Sequence, residues 1–502
     1  MSPQLMVHLM ATWLTFTVLV LVCVLQPLAV CASRVPLAEG IPKDSLALLG
    51  NLHYDALFGR PGGYGVCNQG QISMVTPGCD SPLTLIKSVM DDINNCRGMI
   101  TLITGSLFRH GAEFLTSREI EYMMRDVLEV IAQNGTSNNA DKDYDLGHST
   151  QLALGETDFI PASSFTPGGK QALYLQLLGM MLSYDLLSSE EYSAMTSCGY
   201  YYRDLSGTKL RIISLNTMLW STALRPPLGV GDVDPCGQFP FLQNAIEQAT
   251  QRGRNVIIVG DTPPVLNVAD ALRKRNVQEA TYFWRDDFRE AYFRIIATYR
   301  FKVGAQFFGH TNVFGFVASP ELGPPMYIIP SISPVTGSNP SYMRATLDGT
   351  TGRVVALRQR YLDENGTWVE GESLEDAINV SLRGMGEYFP KDYLLLAESE
   401  ARWENMAAMR VGGRFLTERE PCDIWCRRVI ACSSLYYERD AIDRCASIQS
   451  PSQKLGLVLA IVFTCFGVIL VCSAFAYVLI HFSIIFDPPV VLGTGKGRRR
   501  LF

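Results

Sequence analysis

The stretch LGLVLAIVFTCFGVILVCSAFAYVLIHFSIIF, residues 455–486, contains no Asp, Glu, Lys or Arg. A bilayer core needs about 20 helical residues, so a helix of this length crosses one with residues to spare. A helix buried in a protein core is the alternative, but few cores hide so long an uncharged segment. In hydrocarbon every backbone amide must find its partner within the segment, which leaves a helix. The tail at 487–502 carries Lys496, Arg498, Arg499 and Arg500 against Asp487, and basic ends stay cytoplasmic. The expectation is a single-pass type I membrane protein with a large lumenal or extracellular part, in the secretory or endolysosomal system or at the cell surface.

The N-terminus agrees. From residue 6 the chain reads MVHLMATWLTFTVLVLVCVLQPLAVCAS, an apolar run closing on small residues, with Val30 and Ala32 placed for cleavage. Residues 1–32 are therefore read as a signal peptide. No Lys or Arg precedes the run, a feature that an uncleaved anchor shares. Removing the tail's net +3 from the formal −6 of the chain leaves −9 for the rest, which argues against nucleic acid as a partner. The tail's basic cluster is read as a topology signal, with lipid headgroups as a secondary partner. Sequons at Asn134, Asn365 and Asn379 are expected to carry glycans. Nine cysteines fall between signal and span, and an oxidising compartment pairs most of them.

Between residues 46 and 344, short β-branched or aromatic runs alternate with helical spacing. GMITLITG, KLRIISLNT, NVIIVGD, GAQFFGH and PMYIIPSISP read as buried strands. SPLTLIKSVMDDI, SREIEYMMRDVLEVIAQ and FREAYFRIIATYR read as helices. This is an α/β pattern, assigned to a domain at 40–345. The polar stretch 138–169 reads as a long loop. From residue 345 the character changes to a hairpin or meander, then helices and a cysteine cluster, read together as a C-terminal lobe at 346–453. Cys422, Cys426, Cys432 and Cys445 are spaced C-x3-C-x5-C-x12-C. Zinc is one reading of that cluster, but the missing C-x2-C knuckle and the compartment favour two disulfides. The pairing of Cys67, Cys79, Cys96, Cys198 and Cys236 stays open.

In α/β sheets the ligand crevice lies outside the carboxyl ends of the strands. The residues placed there are Asn51, Leu52, His53 and Tyr54; Gly105, Ser106, Arg109 and His110; Glu156, Thr157 and Asp158; Asp261, Pro263 and Pro264; and His310 and Asn312. Here the chain resembles a known family. NLHYDALFG, GCDSPLTLIKSVMDDI, TGSLFRHGAEFLTSREIE, ALGETDFIP, ISLNT, GDTPP, GHTNVFGF and PSISPVTGSNPSY are similar, in that order, to motifs of the acid sphingomyelinase-like phosphodiesterases and vacuolar endopolyphosphatases. The resemblance covers residues 46–446. It implies a calcineurin-like metallophosphoesterase: a four-layer sandwich of two mixed β-sheets flanked by helices.

It also implies a centre of two metal ions held by seven side chains, most of them changed here. Asn51 stands for an Asp, Ser106 for the Asp that bridges both ions, and Glu156 for an Asn. Asp261 stands for a His, and Asn312 for a His. His53 and His310 keep their type, and Thr157 replaces the residue after the Asn. Two dications about 3.5–4 Å apart need a shared anion, which a serine cannot supply. The resemblance thus implies a pseudoenzyme, a binding or scaffolding protein with no metal cofactor expected. The alternative is a residual phosphodiester or phosphoanhydride hydrolase, with a single zinc or other divalent ion on Glu156, Asp261 and His310. His110 and Arg109 correspond to positions near a substrate phosphate and are candidate anion contacts. The partner would be an unidentified protein or lipid. Too few residues separate the expected signal from Asn51 for the family's saposin-like lipid domain.

Overall fold

The computed structural model describes residues 45–68, 73–95, 99–136, 150–168, 171–229, 231–385, 391–413, 422–447 and 451–486. The expected signal peptide, the basic tail, Cys96 and the side chain of Asn134 lie outside these residues. The chain divides into a large unit, Met1–Ala446, and a C-terminal unit, Ser447–Phe502.

The large unit is built on two six-stranded mixed sheets. The strands in chain order are β1 (Ser45–Leu49), β2 (Ile100–Ile103), β3 (Thr150–Leu152), β4 (Tyr201–Asp204), β5 (Leu210–Ser214), β6 (Asn255–Val259), β7 (Val303–Phe308), β8 (Gly315–Val317), β9 (Met326–Ile328), β10 (Ser341–Leu347), β11 (Val354–Leu362) and β12 (Trp368–Ser373). The first sheet runs β12-β11-β10-β1-β2-β3 and the second β4-β5-β6-β7-β9-β8. β1, β2 and β3 are parallel to one another, as are β5, β6, β7 and β9. Strands covered on both faces need apolar residues at every position. β1, β2, β5 and β7 are accordingly buried throughout.

Alternate side chains then serve different layers. Leu46 and Leu48 of β1 join Ile100 and Leu102 of β2 in one cluster with Ile257, Val259, Ala305 and Phe307 of the second sheet, so the sheets pack face to face. Ala47, Leu49 and Ile103 point the other way, into a cluster with Leu85, Val89, Met123 and Val127. The latter belong to helices Leu83–Asn95 and Ser117–Thr136. The second of these starts on a reciprocal cap. Glu119 accepts from the Thr116 amide at 2.8 Å and donates its own amide to the Thr116 hydroxyl at 3.3 Å.

β10 crosses the boundary expected at 345/346. It pairs antiparallel with β1, Ser45 opposite Thr346, so the meander completes the first sheet. The stretch expected as a long loop contains β3 and a short helical turn, Glu156–Asp158. The C-terminal helices are tied to the second sheet's edge by backbone bonds from Phe314 to Arg410 and from Ala318 to Ser434. Cys422 pairs with Cys426 and Cys432 with Cys445, so this cluster is disulfide-bonded. Cys67–Cys79 and Cys198–Cys236 are bonded as well. Asn365 and Asn379 are exposed, as glycan acceptors must be. The C-terminal unit contains one continuous helix, Pro451–Phe486, whose segment Ile461–His481 is long and apolar enough to cross a membrane.

One buried ion pair joins the first helix to the meander. Arg360 grips Asp92 through two bonds of 2.7 and 2.6 Å, and the Tyr342 hydroxyl donates to the same carboxylate at 2.6 Å. Removing one member of such a pair leaves the other charge buried alone. Asp92→Ala is expected to lower unfolding stability by about 3–5 kcal/mol. Arg273→Ala, which removes an exposed guanidinium while its partner Asp270 keeps the Lys274 ammonium, should cost less than about 1 kcal/mol. Denaturant melts of the two variants check the contrast.

Candidate functional site

Five strand ends converge on one edge of the sandwich. After β1 come Asn51 and His53, after β2 Ser106, after β3 Glu156, after β6 Asp261, and after β7 His310 and Asn312. The two sheets are stitched across this edge. The His310 amide, after β7, donates to the Asn51 side-chain oxygen, after β1, at 3.0 Å, and within the second sheet the Gly309 amide donates to the Asp261 carbonyl at 2.8 Å. Glycines make the approach possible. A Cβ on Gly155 would lie 2.4 Å from the Ser106 amide nitrogen and 2.6 Å from the Asp261 carboxyl carbon. A Cβ on Gly105 would lie 2.6 Å from the Gly155 nitrogen.

The side chains then meet in pairs. Asn51 donates to Asn312 at 2.6 Å, and the Ser106 hydroxyl donates to Asp261 at 3.0 Å. The Glu156 amide donates to the other Asp261 oxygen at 3.2 Å, and Ser163 donates its hydroxyl to the Glu156 carboxylate. His310 Nδ1 lies 3.6 Å from Glu156 and 3.7 Å from Asp261. Thr157 is buried, its hydroxyl without a partner among the described residues. Asn51, His53, Ser106, His310 and Asn312 all have left-handed backbone, with φ from 43 to 68°. Non-glycine residues rarely adopt it, and surrounding structure must hold them there.

Arg109 and His110 sit on a second wall. Residues 53–55 run between 81 and 107–109, bonded by Ser81 to His53, Tyr54 to Leu107 and Arg109 to Tyr54. That places Asp80 against His110: its carboxylate accepts from the His110 amide at 2.8 Å and faces Nδ1 at 2.9 Å. Arg109 donates to Asp55 at 2.7 Å and to the Gly62 carbonyl at 2.8 Å, so its charge is met before any anion arrives. His53 stacks beside His110 with ring centroids 4.2 Å apart. One donor atom from each of His53, Asp80 and His110 lies within 4.8 Å of the other two. Sequence reasoning gave no role to Asp55, Asp80 or Asp158. All three stand inside motifs already singled out, NLHYD, GCDSP and ALGETDFIP, and that was the available signal.

Burial dominates the electrostatics. It drives the Asp261 carboxyl up from 3.8 to about 7, with Glu156 adding to the rise. Asp158 is pushed to about 7 by burial too, against three backbone amides that favour its charge. Burial, then His110, holds the His53 imidazole well below its ordinary range. Burial also lowers His310. Burial would lower His110 as well, but its hydrogen bond to Asp80 and that charge prevail and raise it.

A two-metal centre does not fit this donor set. Ser106 is neutral where a shared anion is required, and the Asn51 and Asn312 amides are poor zinc ligands. The set Glu156, Asp261 and His310 retains two carboxylates and one imidazole, a chemistry compatible with one ion.

No family model matches the chain. Over 258 residues it is 27% identical to acid sphingomyelinase-like phosphodiesterase 3b of Homo sapiens, covering 50% of each chain. It is 27% identical to cyclic GMP-AMP phosphodiesterase SMPDL3A of Bos taurus over 314 residues, 59% of this chain and 64% of that one. The match with acid sphingomyelinase-like phosphodiesterase 3b spans about half the length of that relative, in human and mouse alike. Among solved structures, a dimetal phosphatase from Danio rerio superposes with a TM-score of 0.40 at 10% identity, over 66% of this chain and 98% of that one. The chain is similar in sequence to acid sphingomyelinase-like phosphodiesterases.

The Asp261 carboxyl is raised in the folded chain, so folding favours its protonated form. That stability is complete below pH 4 and is lost as pH rises toward 7. Asp261→Asn removes the loss. Between pH 5 and 8 the wild type should lose of the order of 2–4 kcal/mol that the variant keeps. Thermal melts of the full chain in detergent at these pH values check it.

Proposed function

We propose that this chain is a membrane-anchored pseudoenzyme: a phosphoesterase sandwich that binds a protein or lipid partner and does not hydrolyse phosphodiesters. The observation that carries the reading is Ser106. Its hydroxyl donates to Asp261 at 3.0 Å from the end of β2, the position that in the resembled family holds the bridging carboxylate. Without an anion there, two dications repel and neither an in-line attack nor a clamp on the leaving oxygen can be assembled. Fold alone does not supply the chemistry. The relatives' names specify phosphodiesters, so that is the substrate class against which silence is tested.

The apolar helix and the basic residues after it support a type I orientation, with the crevice lumenal or extracellular. The disulfides support the same compartment. Sequons at exposed Asn365 and Asn379 add to it.

A second reading has one observation in its favour: His310 lies within 3.7 Å of both Glu156 and Asp261, which would give a residual one-metal hydrolase. Assay of the full chain in detergent with bis(4-nitrophenyl) phosphate and added zinc separates the two. No turnover above the blank is expected; turnover that His310→Ala abolishes would overturn the pseudoenzyme reading. The combined change Ser106→Asp, Asn51→Asp and Asn312→His should raise zinc affinity at least about tenfold by competition with a chelating dye. Unchanged affinity would count against the correspondence of these positions with metal ligands.

A further inference from the structure

We infer that His53, Asp80 and His110 form a binding site for a single divalent transition metal, displaced from the donor positions of the resembled two-metal centre. Only His53 is shared with that set. Two imidazoles and one carboxylate are a recognised ligand group for zinc and its neighbours, with the fourth position open to water or an anion.

The geometry supports each donor. The His53 Nδ1 faces the Phe108 carbonyl at 3.2 Å. A carbonyl oxygen cannot donate, so Nδ1 carries the proton and Nε2 keeps its lone pair. Such a bond behind a histidine is the usual arrangement for a metal ligand, because it fixes tautomer and ring orientation. The Asp80 side chain is fully buried, and one of its oxygens already accepts the His110 backbone amide. That bond holds the carboxylate in place, while the other oxygen faces His110 Nδ1 at 2.9 Å, a hydrogen bond that an ion inserted between the two would replace. His110 is one-third exposed, which gives an ion a route in from solvent. Tyr64 stacks on its ring, with centroids 4.9 Å apart, and steadies it. The three donor atoms, mutually within 4.8 Å, need only a modest contraction to reach metal–ligand distances of about 2.0–2.2 Å.

The inference goes beyond the pseudoenzyme reading and does not depend on it, since a single ion on this wall does not recreate a two-metal clamp. A metal bound here with no turnover leaves both standing. Turnover alone would overturn the earlier reading without touching this one.

The test uses the full chain in detergent, stripped with chelator. Titration with Co(II), followed by visible absorption, should saturate at one equivalent. His110→Asn and Asp80→Asn should weaken binding at least about tenfold, whereas His310→Ala and Asp261→Asn should leave it within about twofold. Cu(II) bound to the wild-type chain provides a reading that needs no variant to fold. Its paramagnetic resonance should show coupling to two imidazole nitrogens. One nitrogen would place the ion on Glu156, Asp261 and His310 and overturn the assignment. So would the absence of saturable Co(II) binding, or binding that His310→Ala abolishes and His110→Asn preserves.

Discussion

Asp158 holds the crevice in shape. Its carboxylate accepts backbone amides from Gly155 at 2.8 Å, Ser106 at 2.9 Å and Leu107 at 2.6 Å, and it is buried. Those amides follow two different strands, so one side chain binds the ends of β2 and β3 together. A carboxylate withdrawn from water is costly unless donors replace the hydration, and three directed amides offset that cost in part, burial still raising the Asp158 carboxyl. The bonds also fix where Ser106 and Glu156 point. Left-handed residues on the neighbouring strand ends each cost of the order of 1–3 kcal/mol and persist because such contacts over-determine them.

The backbone of the crevice therefore brings these strand ends together, while Asn51, Ser106 and Asn312 place neutral side chains at its tips. Asn51 and Asn312 satisfy each other, and Ser106 satisfies Asp261, as neutral or singly charged pairs. Substitutions of this kind are mild for folding, because each new group finds a hydrogen-bond partner within reach. They are severe for catalysis, because charge at one point cannot be replaced by a hydrogen bond nearby.

Much of this was legible along the chain. β-Branched runs bounded by glycine marked the strands, the rule that ligands gather at strand ends gave a wider set of candidates, and the resemblance narrowed it to Asn51, His53, Ser106, Glu156, Asp261, His310 and Asn312, which the structure brings to one edge. What the chain hid were partnerships set by topology. Nothing local couples Asp92 to Arg360, or Asp80 to His110, until residues 53–55 are seen threading between two loops. The change at residue 345 misled for a related reason. Turn-rich hairpin composition looks like a new unit, yet β10 adds to the first sheet by pairing with β1, an association invisible to local pattern.

The two histidines that keep their type at resembled metal positions now have different surroundings. His310 lies between two carboxylates with Phe283 edge-on at 5.0 Å, so its positive form has partners close by. Among the described residues His53 pairs with a backbone carbonyl and with no carboxylate; it lies against His110, and the charge of one disfavours the charge of the other. A neutral imidazole with its Nδ1 proton committed to a carbonyl has one chemical capacity left, donation of a lone pair. The crevice thus carries two donor groups, His53 and His110 with Asp80 on one wall and His310 with Glu156 and Asp261 on the other.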